Sequence, residues 1–111
     1  MQGKTYVLQN KRTESIILSV TDDKDLFFKE AINCFKKRLF SIYTNKNKRF
    51  VDEKELFEEL DLLKKIKDNI VLAEENKPNS ESDIIKLLTF IGDELDIEVN
   101  VENVNEQNIE I

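Results

Sequence analysis

A protein chain of 111 residues with a single thiol, Cys34, and no histidine has few routes to catalysis. The imidazole is the commonest general base and the commonest transition-metal ligand, and the one side chain that titrates unperturbed near neutrality. Without it, a zinc site of the ordinary Cys/His kind is out of reach. Cys34 has Asn33, Phe35 and Lys36 around it in sequence. A reactive thiol needs an activating base, and Lys36 or Lys37 alone would only lower its pKa. Cys34 therefore reads as an inert thiol on the flank of a core.

The carboxylates offer little more. "DDKD" at 22–25 resembles a calcium loop superficially, but lacks the glycine and the distal glutamate that an EF-hand requires at fixed positions. Glu53, Glu55, Glu58, Glu59 and Asp61 form a dense acidic run that winds around a helix, which reads as a solvated face. Only Gly3 and Gly92 are available for close backbone approach, so no phosphate loop exists, and G-x-S-x-G, C-x-x-C and H-E-x-x-H are absent. No cofactor is expected, and the chain is expected not to be an enzyme.

What remains is charge. Residues 34–50, "CFKKRLFSIYTNKNKRF", hold six cations and no acid in a chain of net charge −6. Residues 1–49 carry eleven Lys/Arg against five Asp/Glu. Residues 74–111 carry two against eleven. This asymmetry admits three readings. Opposite charges meet within the fold or along a homodimer. The cluster Lys36, Lys37, Arg38, Lys46, Lys48 and Arg49 touches the phosphates of a nucleic acid. Or the C-terminal acids Asp93, Glu94, Asp96, Glu98 and Glu102 form a surface for a basic partner, which would speed encounter. The favoured expectation is a small protein-binding module, an inhibitor or regulator of the bacterial or phage type. It would dock on a larger protein through those acids. The nucleic-acid accessory role is the alternative.

The elements that position these groups follow from hydrophobic period. Tyr6 and Leu8, then Ile16, Leu18 and Val20, alternate with polar neighbours and predict a β-hairpin with one buried face. Phe28, Ile32, Phe35, Leu39 and Ile42 follow at spacings of four, three, four and three, a single helical face over about 23–44, with Asp22 as its N-cap. Five aromatics on that helix (Phe27, Phe28, Phe35, Phe40 and Tyr43) exceed what one face can hide. Phe27 or Phe40, on the flanks, is expected to stay exposed for a partner.

A second helix starts at Asp52, with Glu55 three residues on and a Val51–Leu56 staple. It carries Leu56, Leu60, Leu63, Ile66 and Ile70 to about residue 74, or breaks near Asp68-Asn69. After the loop at Pro78, Ser80 caps a third helix over 81–95, with Gly92 off its apolar stripe. Ile97, Val99 and Val101 alternate as a last strand.

The expected fold is α+β: an N-terminal hairpin, three amphipathic helices on one face of the sheet, and a C-terminal strand completing it, in the order β-β-α-α-α-β. Residues 1–103 form one domain, and 104–111 are a polar tail, either disordered or extending the last strand. The alternating, polar start and the lack of any apolar run near 20 residues predict a cytoplasmic protein with no membrane partner.

Overall fold

The computed structural model describes residues 3–46 and 53–103; the side chains of residues 44–46, 53, 55 and 56 lie outside the description. Three strands and three helices follow in the expected order. They are β1 (Lys4–Asn10), β2 (Ile16–Thr21), α1 (Lys24–Lys46), α2 (Glu53–Glu75), α3 (Glu81–Glu94) and β3 (Ile97–Asn103). The sheet is antiparallel with β1 in the centre, in the order β2-β1-β3. The tail 104–111, and the expected cap and staple at Val51, Asp52, Glu55 and Leu56, fall outside the described residues and side chains.

Alternation explains most of the sheet. Tyr6, Leu8 and Val20 face the helices and are buried, Leu18 and Val99 pack half-buried beside them, and Ile97 is almost fully enclosed. Ile16 departs from the expected set. Leu8 pairs with Leu18 but Gln9 pairs with Ile16, so a bulge at Ile17 shifts the register by one residue. Residues opposite one another share a face, and Gln9 points away from the helices. The bulge therefore takes Ile16 out of the core, and it is 60% exposed.

α1 begins one residue later than expected, because Asp23 and not Asp22 is its cap: the Leu26 amide donates to Asp23 Oδ1 at 2.9 Å. Asp22 sits in the left-handed region, with φ 60°. It holds the start of β1 by accepting from the Lys4 amide at Oδ1 (2.8 Å) and donating its own amide to the Lys4 carbonyl (2.7 Å). At α3 the expected cap is present, with the Asp83 amide donating to Ser80 Oγ at 3.1 Å. α2 runs unbroken through Asp68-Asn69.

Gly92 is not merely tolerated. It is buried, and a Cβ built there would lie 2.7 Å from the Ile97 carbonyl oxygen. Here α3 turns straight into β3: the Leu95 amide closes on the Gly92 carbonyl, and Asp96 takes φ 58°. Only a residue without a side chain lets strand and helix approach so closely.

α1 and α3 cover the sheet. α2 packs on α1 and α3 and makes no close approach to any strand, so it forms an outer layer and not, as expected, part of the sheet's cover. Phe27 and Phe35 are fully enclosed at the centre, and Phe27 stacks on Tyr6 with ring centroids 5.3 Å apart. A helix of 23 residues is about 34 Å long, whereas a strand of seven spans about 23 Å. The antiparallel α1–α2 pair therefore outreaches the sheet. Among the described residues, full burial on α1 ends at Phe35 and on α2 begins at Leu63. Beyond those points the two helices have chiefly each other to pack on.

Candidate functional site

The five acids do not form one uniform surface. Asp93 and Glu94 end α3, Asp96 makes the corner, and Glu98 and Glu102 lie along β3 opposite Gln9 and Thr5. Two of them are matched by the β1–β2 connection: Lys11 Nζ donates to Asp93 Oδ1 at 2.7 Å, and Arg12 Nη2 lies 3.1 Å from Asp96 Oδ2. The Lys11 amide also donates to the Asp96 carbonyl. The Asp93 hydrogen bond, helped by the charges of Asp96 and Glu98, raises the Lys11 ammonium above its ordinary pKa. Glu94, Glu98 and Glu102 remain exposed. The two strand glutamates are four residues apart, about 13 Å along the strand. The first of the three readings of the charge map thus holds in part: N-terminal cations and C-terminal acids meet inside the fold.

The cation cluster also divides. Lys36, Lys37 and Arg38 are consecutive on α1, so they fan over about 200° of the helix. Lys36 Nζ reaches Glu74 Oε2 of α2 at 2.6 Å. Lys37 is exposed, and Arg38 is half-buried with its Nε enclosed and unbonded. The Lys46 side chain, Lys48 and Arg49 lie outside the described residues.

The other chemistry-bearing residues have structural tasks. Of "DDKD", Asp22 holds β1, Asp23 caps α1, and Asp25 takes Lys77 at 2.7 Å, which, with Lys24, keeps its carboxyl below the ordinary range. Cys34 is half-buried, and burial pushes its thiol up, away from the thiolate. Tyr6 donates its hydroxyl to Glu81 Oε1 at 2.8 Å, and Lys4 Nζ meets Oε2 at 2.7 Å. These two hydrogen bonds, the lysine's first, hold Glu81 below its ordinary pKa. Burial, then Glu81, pushes Tyr6 up to about 12. Among the described residues no group of three or more His, Cys, Asp or Glu is placed to hold a metal ion, and no helix is long and apolar enough to cross a membrane.

One feature left over is a groove of about 660 Å³ along the α1–α2 seam, running from the overhang onto the part of α2 that packs on the core. Leu39 and Tyr43 of α1 and Leu60, Leu63, Ile70 and Val71 of α2 line it. Leu63 and Ile70 form a buried floor, while Tyr43 and Val71 are 47% and 39% exposed. Its lips are basic. Lys64 and Lys67 are exposed on α2 and make no ion pair with any described residue, and Lys36 stands on α1. Among the described residues the one acid on the rim is Glu74, which Lys36 occupies. A shallower hollow of about 550 Å³ continues past that ion pair toward the start of α1. There Asp25 and Lys77 neutralise each other.

The excess of aromatics on α1 points to this site: Phe40 is 69% exposed beside Tyr43, whereas Phe27 lies fully in the core. The contribution of α2 is missed by sequence reasoning. Its signal is "KKIK" at 64–67, which sets Lys64 and Lys67 one turn from Leu60, Leu63, Ile70 and Val71. No family model matches the chain, and neither a curated protein nor a solved structure is similar to it.

Proposed function

We propose that this chain is a non-enzymatic protein-binding module, of the size of a small inhibitor or regulator, and that it docks on a larger protein through the α1–α2 groove. The observation that carries this reading is the apolar lining of the groove. Tyr43 and Val71 stay half in water beside a floor of buried Leu63 and Ile70. Apolar surface gathered in a concave strip and rimmed by charge is the usual form of a docking site. The groove supports the reading better than the C-terminal acids do, because Asp93 and Asp96 already spend their charge on Lys11 and Arg12.

The test is capture from a lysate of the source cells with and without nuclease, comparing the wild-type chain with Val71→Glu. Val71 is partly exposed, so the variant should keep its helical circular dichroism. A single stoichiometric protein held by the wild type and lost by V71E supports the groove. A partner that V71E retains, but that Glu94→Lys with Glu98→Lys and Glu102→Lys loses, moves the interface to the acidic face. Loss of every captured protein on nuclease treatment favours the nucleic-acid role of the α1 cations.

A further inference from the structure

We propose that the groove's occupant is an acidic, amphipathic helical segment of the partner protein; this rests on the docking reading above and names the partner's chemistry. Three observations carry it. The first concerns backbone. The groove is walled by two helices whose own amides and carbonyls are spent in i to i+4 bonds, so it offers an incoming chain no ladder of donors and acceptors. A segment lying on Leu63 and Ile70 must satisfy its backbone internally, and a helix does that while an extended strand does not.

The second is shape. The lining positions 60, 63, 67, 70, 71 and 74 recur at helical spacing over fifteen residues of α2, about 21 Å or four turns. With Leu39 and Tyr43 opposite, they form the seam into which a third helix packs in a bundle. The third is charge. Lys64 and Lys67 line one lip without an ion pair to any described residue and carry the attraction, while Lys36 and Glu74 pair across the seam and cancel. A helix presenting Asp or Glu beside its apolar stripe meets the Lys64 and Lys67 ammonium groups, while a basic helix is repelled by them. A polynucleotide fits less well. The floor is aliphatic, and a chain of net charge −6 opposes a long polyanion more than it opposes a few carboxylates.

The experiment uses the full chain as bait for a random 18-residue peptide library displayed on yeast, followed by affinity measurements on the recovered peptides. The expected sequences carry apolar residues at i, i+3 or i+4 and i+7, flanked by Asp and Glu, and become helical on binding. Their affinity should fall about tenfold or more for Lys64→Glu with Lys67→Glu at low ionic strength, the loss shrinking as salt rises. It should also fall for V71E. Neutral or basic binders that V71E abolishes would overturn the acidic assignment and leave the groove standing. Binders indifferent to both variants, or an empty selection, would overturn the groove with it. Tight binding of a labelled single-stranded oligonucleotide, lost on reversing Lys64 and Lys67, would replace the helix by nucleic acid.

Discussion

Replacing Gly92 by alanine sets two effects against each other. In a helix interior, alanine is favoured over glycine by about 1 kcal/mol, so propensity alone predicts a more stable protein. The structure predicts the opposite. The new Cβ would lie 2.7 Å from the Ile97 carbonyl oxygen, where an ordinary carbon–oxygen approach is about 3.3 Å or more. The strand would have to withdraw by roughly half an ångström. It has little room to do so. The corner is only Leu95 and Asp96, the Lys11 amide is bonded to the Asp96 carbonyl, and Ile97 is 2% exposed in the core. Overpacking of this kind costs about 1–3 kcal/mol. Set against the propensity gain of about 1 kcal/mol, the net change should be a loss of up to about 2 kcal/mol. With a urea slope of about 2 kcal/mol per molar, the midpoint falls by up to about 1 M, where propensity alone would raise it by about 0.5 M. The assay is urea unfolding followed by circular dichroism at 222 nm, with the slope unchanged. A midpoint that rises by about 0.5 M, as propensity alone predicts, would refute the close approach of α3 and β3.

Two further outcomes follow from the caps and the buried phenol. Ser80→Ala removes the acceptor for the Asp83 amide and should cost about 1 kcal/mol, read as a lower thermal midpoint. Tyr6→Phe removes the hydrogen bond to Glu81 and should cost about 0.5–1.5 kcal/mol near neutrality. Because the folded phenol ionises near 12 and the unfolded one near 10, its contribution is complete below about pH 10 and is lost as the pH rises toward 12. Urea midpoints of wild type and Y6F should therefore converge over that alkaline range; a constant gap would contradict the assignment.

Period and capping chemistry made the element order legible. The alternation at Tyr6, Leu8, Val20, Ile97 and Val99, the stripe from Phe28 to Phe35, and Ser80 all report local geometry, which neighbours in sequence determine. What was not legible depends on elements meeting. Ile16 leaves the core because a bulge at Ile17 is set by pairing with β1, and nothing in "SIILSV" marks it. Asp22 and Asp23 are both plausible caps until β1 claims Asp22. Gly92 looks spare on a helical wheel and is indispensable only once β3 returns beside it. The charge segregation was visible, but its partial cancellation through Lys11–Asp93, Arg12–Asp96 and Lys36–Glu74 joins residues 38 to 84 apart. The groove belongs to the same class: Tyr43 and Lys64 become neighbours only when α1 and α2 pack antiparallel.

Binding is assigned to the α1–α2 groove. The most direct test is a titration of isotopically labelled chain with the captured partner, or with a peptide from the selection, followed by amide and methyl NMR shifts. The largest changes should fall on Leu39, Tyr43, Leu60, Leu63 and Val71, with Glu94, Glu98 and Glu102 little moved. Shifts concentrated on α3 and β3 instead, with the groove methyls silent, would contradict it.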